Sequence, residues 1–238
     1  NMQYPKLELH ITQLERLIAN SRSKFTNKKK ERIYRNLLLL FDSIKNSNYL
    51  NFNSDELGIA TNALNVVFSE IEFLDYKNES EIPKRLIYCL NKVLNDWITN
   101  GTDEYFIVVS YNKTPKDFSV MALDAETLLL FKNTLKTLFN ADYNQSLIKI
   151  SKPKYLAEDY LSSIPLYHEL GHFIDKNYQI VANFSREPGF SAFGISSIHF
   201  SEFFADLFAA QYIGKSAVAP LDETRTKVIT SHPSNAKR

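Results

Sequence analysis

Cysteine is nearly missing from this chain: Cys89 is the only one in 238 residues. That excludes a disulfide framework and a metal site built on thiolates. It leaves Cys89 itself to be expected as a small buried hydrophobe rather than a reactive thiol. An excess of one charge is missing too. Lys and Arg number 28 and Asp and Glu 27, a net +1, so no global field points to nucleic acid or acidic substrates. No apolar run reaches the ~18 residues of a membrane helix, and no membrane span is expected. The opening residues, Asn1 to Lys6, lack the apolar core of a signal peptide. A soluble, cytoplasmic chain is the resulting expectation.

What is present is an ordinary globular composition, 44% hydrophobic and 23% charged, enough to bury a core as one domain or two. Residues 5–100 read as helical, without internal repeats. Leu7, Ile11, Leu14, Leu17 and Ile18 recur at three- and four-residue steps. A second helix, over about 30–46, turns Ile33, Leu37, Leu40, Phe41 and Ile44 inward. A third starts after Ser54 as N-cap, with Asp55 and Glu56 at its positive end, and runs to about Leu74. The fourth, about Ile82 to Ile98, carries Leu86, Leu90, Val93, Leu94 and Trp97, and Asn100-Gly101 stops it. The basic run from Arg22 to Arg35 interleaves only Phe25 and Tyr34. It reads as a solvated loop and helix start, so nucleic acid is not expected as a partner. The N-terminal helices could serve as a substrate platform, as a module that binds a protein partner, or as part of the catalytic fold.

After Gly101 the period changes. Tyr105 to Tyr111 and Phe118 to Ala122 are rich in Ile, Val, Tyr and Phe, and a turn centred on Pro115 would join them as a β-hairpin. A helix over about Asp124–Asn140 and a short strand at Leu147–Ile150 follow. The fold class is therefore α+β. A mainly helical region over residues 1–100 leads into a domain over 101–238 with a small sheet and an active-site helix.

That helix holds the most informative stretch, Tyr167-His168-Glu169-Leu170-Gly171-His172-Phe173-Ile174-Asp175. It contains His-Glu-x-x-His. On a helix, residues four apart share one face about a turn apart, so both imidazoles can reach one Zn²⁺ at roughly 2.0–2.1 Å. Glu169 sits about 100° further round, placed to act as general base on metal-activated water and not as a ligand. Ser162 or Ser163 is expected to cap this helix, with Pro165 in its first turn and its end near Lys176. Residues 177–197 read as a loop, and a last helix from His199 to Ile213 ends at Gly214.

A catalytic zinc takes three protein ligands and leaves room for water. A third histidine six residues after the second is excluded, because Tyr178 stands there. Glu202 is the expected third ligand. It opens an otherwise apolar helix with Asp206 one turn later on the same face, a pair expensive to bury unless something positive lies opposite. Zinc answers Glu202, and the outer N–H of a zinc-bound histidine answers Asp206. His199 is the rival third ligand. Asp175 is expected to bond locally or cap. On the plain alternative, Glu202 is a helix-start carboxylate and Asp206 a surface charge.

His168-Glu169-Leu170-Gly171-His172, followed some thirty residues later by Glu202-Phe203-Phe204-Ala205-Asp206, resembles the gluzincin branch of zinc metallopeptidases. The resemblance implies a zincin-like domain in which both histidines and the downstream glutamate bind zinc. Glu169 would be the base and Asp206 the support of a histidine. Within the branch, the Glu-Phe-Phe-Ala-acidic helix is similar to anthrax lethal factor-type enzymes. The closing Ser231-His232-Pro233-Ser234 is similar to a segment of CAAX prenyl endopeptidase-type enzymes. Where the lethal factor type implies an oxyanion-steadying tyrosine, this chain has Phe190, Phe193 and Ile195. His232 is accordingly the first candidate for the oxyanion donor, followed by Tyr178 and Tyr212. The expected activity is hydrolysis of peptide bonds in a protein or peptide substrate with Zn²⁺ as cofactor. The alternative is a zinc-binding regulatory or effector module with little proteolysis.

Overall fold

The computed structural model describes residues 4–21, 25, 27–74, 83–99, 104–112, 118–153, 156, 163–187, 189–190 and 196–214. In chain order they form α1 (Tyr4–Asn20), α2 (Lys28–Lys45), a 3-10 turn (Tyr49–Asn51), α3 (Ser54–Leu74), α4 (Lys84–Trp97), β1 (Tyr105–Asn112), β2 (Ser119–Met121), α5 (Ala125–Phe139), β3 (Ser146–Pro153), α6 (Pro165–Tyr178), α7 (Ile180–Phe184) and α8 (Ser197–Ile213). Helix dominates and the sheet is small, an α+β arrangement. Contacts gather the chain into two compact units, Asn1–Lys77 with Glu126–Leu147, and Asn78–Ala125 with Ile148–Arg238. Thus α4 belongs with the sheet, and almost all of α5 with the first three helices.

In the first unit, α3 packs on α1 and α2. The inward faces are those set by the helical period: Leu7, Ile11 and Leu14 on α1, and Ile33, Leu37, Leu40, Phe41 and Ile44 on α2, are all buried. The cap of α3 is Asn53 rather than Ser54. The Asn53 side chain accepts the N–H groups of Asp55 and Glu56, and the Glu56 carboxylate accepts the N–H of Asn53, a reciprocal capping box. The basic run begins α2, with Asn27 as its cap. Arg35 donates to Glu31 one turn back, whereas Lys30 is buried. By length and composition α3 is apolar enough to cross a bilayer. Its apolar side chains are instead spent on the core, together with Glu70, 2% exposed. One Glu70 oxygen accepts both the Tyr143 hydroxyl (2.6 Å) and the Leu147 N–H (3.1 Å).

In the second unit the sheet order is β1-β3-β2, with β2 antiparallel to β3 and Val120 opposite Ile150. This corrects the expected hairpin: β3 lies between the two strands that were to pair. The turn around Pro115 and the Asn100-Gly101 stop lie outside the described residues. Tyr105 to Tyr111 are all buried, and α4 packs on β1. Trp97, at the end of α4, anchors the C-terminal helices. Its indole N–H donates to the Tyr212 hydroxyl at 2.8 Å, and its ring lies against Phe204 and Phe208. The Tyr178 hydroxyl donates to the Trp97 carbonyl. Cys89 is exposed, correcting the expectation of a buried thiol. It sits beside the Tyr167 hydroxyl, whose pKa burial pushes up to about 12, with Cys89 adding to the shift. The 177–197 stretch, expected as a loop, contains α7.

Candidate metal centre

The centre is built on α6 and α8, which make the most extensive helix contact of the unit. Pro165 opens α6, where its missing N–H is no loss. Ser163 does not cap it. Ile164 precedes the helix with no side-chain cap, and Ser162 lies outside the described residues. The helix runs to Tyr178, two residues further than expected, and Gln179 turns the chain in the left-handed region (φ 51°). A non-glycine residue there is strained. Asp175 offsets that strain, since its Oδ1 accepts the Val181 N–H at 2.8 Å and fixes the start of α7. Ser196 caps α8 through the His199 N–H.

Gly171 explains how closely the two helices approach. A Cβ there would stand 3.0 Å from the Ala205 Cα and 3.1 Å from the Phe208 Cβ. Gly171 follows His168 by three residues, and Ala205 follows Glu202 by three. The close approach therefore lies one turn beyond a candidate ligand on each helix. A glycine inside an apolar helix, facing a helix rich in alanine, was the available signal.

At this contact the side chains converge. His168 Nε2 and His172 Nε2 are 2.9 Å apart. Glu202 straddles them, with Oε2 3.5 Å from His168 Nε2 and Oε1 3.5 Å from His172 Nε2. A tetrahedral ion at zinc distances separates its ligand atoms by about 3.3–3.4 Å, close to these spacings. Among the described residues, His168, His172 and Glu202 form a group able to hold a metal ion. His168 is 1% exposed and Glu202 7%, while the His172 side chain is 23% exposed. The group therefore opens to solvent on its His172 side. There a cleft of about 410 Å³ is lined by Val120, Met121 and Ala122 of β2 and its flank, and by Phe173 and Lys176 of α6.

The outer nitrogens are also engaged. His168 Nδ1 stands 2.9 Å from Asp206 Oδ1. Asp206 is thus brought beside a histidine, and not left as a surface charge. Burial alone would lower the His168 pKa. The hydrogen bonds of Asp206 and Glu202, with the charges of Asp206 and Glu169, overcome it and raise the pKa to about 9. The same carboxylates that favour a positive charge on His168 would favour a metal cation at its Nε2.

The remaining candidates fall elsewhere. Glu169 is half-buried beside His168 on α6. His199 stands outside the three-residue group. Asp175 bonds locally, to Val181 and to Ser201. The Tyr178 hydroxyl gives its proton to the Trp97 carbonyl, whereas the Tyr212 hydroxyl accepts the Trp97 indole N–H. His232, Phe193 and Ile195 lie outside the described residues. The chain matches no family model, no curated protein and no solved structure.

Proposed function

We propose that the second unit is a zinc-dependent endopeptidase of the gluzincin kind, with a zincin-like pairing of sheet and active-site helix. One observation carries this reading. Two imidazole nitrogens and a carboxylate face one another at 2.9, 3.5 and 3.5 Å. A buried glutamate beside two imidazoles is stabilised by a positive charge held between them.

His168, His172 and Glu202 would hold the ion. Zinc supplies Lewis acidity there, polarising a carbonyl and making water acidic near neutral pH. Asp206 keeps the His168 proton on Nδ1, so that Nε2 presents its lone pair. Glu169, partly open to solvent, takes the proton of the attacking water and passes it to the leaving amine. The β2–α6 cleft, which His172 lines, leaves room for an extended chain beside these groups. His232 is the proposed oxyanion donor.

The donation of the Tyr178 hydroxyl proton to the Trp97 carbonyl favours a second reading, a zinc-binding regulatory or effector module with little proteolysis. Two measurements separate the readings: zinc per chain in the wild type, and cleavage of an unstructured protein by the wild type and by Glu169→Gln. One zinc per chain, with cleavage reduced about 10²–10⁴-fold by Glu169→Gln, supports the peptidase. One zinc without cleavage supports the module, and a wild type that takes up no zinc overturns both.

A further inference from the structure

The two candidate metal-binding histidines are held differently. His168 Nδ1 lies directly against a carboxylate, 2.9 Å from Asp206 Oδ1. His172 Nδ1 instead faces the Ser201 hydroxyl at 3.4 Å. Ser201 in turn donates its only proton to Asp175 Oδ2 at 2.8 Å. A hydroxyl whose proton is committed to a carboxylate can only accept from its other neighbour. The proton between Ser201 and His172 must therefore come from His172 Nδ1. That leaves the lone pair on Nε2, the nitrogen facing His168 and Glu202.

We infer that Ser201 and Asp175 form a relay that positions His172 and sets its tautomer. Both are positioning residues that act on the centre through the imidazole. Asp175 is 8% exposed and lies one turn beyond His172 on the same helix. Its second oxygen is taken by the Val181 N–H, so the carboxylate cannot swing away without uncapping α7. The relay therefore ties α6, α7 and α8 together at the metal-binding face. Ser201 immediately precedes Glu202, so one helix start delivers both a ligand and the support of another ligand. The inference rests on the proposed zinc site and adds how the solvent-facing histidine is held there.

The test measures zinc affinity by chelator competition at one fixed pH, and the absorption of the Co²⁺-loaded protein, in full-length variants. Ser201→Ala should weaken zinc binding about 10-fold or more, the range for losing an outer-shell partner, and alter the Co²⁺ spectrum. Ser201→Thr, which keeps the hydroxyl, should restore both. Asp175→Asn should weaken binding comparably, and the double variant should be no weaker than the worse single one, as for residues acting through one link. Thermal melts check folding. If Asp175 serves only to cap α7, Asp175→Asn lowers the melting temperature but leaves zinc affinity and the Co²⁺ spectrum unchanged, which overturns the inference. Wild-type affinity in Ser201→Ala overturns it as well. Failure of the zinc site itself shows separately, as a wild type that takes up no zinc or a Glu202→Ala variant that binds it normally.

Discussion

Glu70 and Glu202 are both buried glutamates on apolar helices, one in each unit, and their surroundings differ in kind. Glu70 accepts from the Tyr143 hydroxyl and the Leu147 N–H, neutral donors fixed by the local fold. Such a carboxylate ties α3 to the residues around Leu147. Glu202 faces two imidazole nitrogens whose opposite sides are already taken by Asp206 and Ser201. Its surroundings supply acceptors where a carboxylate needs donors, and a proton or a metal ion must make up the difference. Burial of a carboxylate is therefore uninformative until its neighbours are named.

Removing each carboxylate breaks the comparison most directly. Glu202→Ala should weaken zinc binding more than about 100-fold, beyond the loss of an outer-shell partner, and should abolish cleavage. Glu70→Ala should leave zinc affinity unchanged. It strands two buried donors, and should lower unfolding free energy by about 3 kcal/mol, read from urea denaturation. A Glu70→Ala protein that folds normally but loses zinc would erase the distinction.

A smaller effect is expected at the helix contact. Gly171→Ala forces a methyl to within 3.0 Å of the Ala205 backbone. It should cost about 1–3 kcal/mol and weaken zinc binding as well, because the contact sets the spacing of ligands on two helices. Gly58→Ala, whose added Cβ meets nothing within 4 Å, is the control on α3 and should not destabilise.

Smallest is the response to pH. In the metal-free protein the folded His168 pKa is raised from the usual 6.5 to about 9. Its contribution to stability is therefore present below about 6.5 and is lost as pH rises through about 9. Thermal melts of chelator-treated protein should show midpoints falling over that window. With zinc in place of the proton the decline should be shallower. Equal declines with and without zinc would mean that the metal does not take the proton's place.

The helix faces were legible because burial follows a 3.6-residue period, and Ile33 through Ile44 obey it throughout. The convergence of His168, His172 and Glu202 was legible because four-residue spacing and an acidic pair on an apolar helix are both local signals. Strand order was not. Placing β3 between β1 and β2 depends on pairing between segments far apart in sequence, which no local pattern encodes. The 177–197 stretch misled through its glycines and serines, while the left-handed turn fell on Gln179, a residue type that does not announce one. Cys89 misled because cysteine is usually buried, and residue type does not say which flank of a helix stays open. Asn53, one residue before the expected cap, shows the ordinary uncertainty of a boundary where two neighbouring residues can both cap.

Trp97 is the chain's only tryptophan, and its indole is bonded to Tyr212 and packed on Phe204 and Phe208, all on the helix that carries Glu202. The molecule thus carries one intrinsic fluorophore, and it is seated against the helix that completes the metal centre. Its emission reports the seating of α8 and the integrity of the second unit, while the first unit contributes no indole signal. In a single unlabelled sample, tryptophan emission therefore follows the second unit, while far-ultraviolet dichroism follows the helices of both.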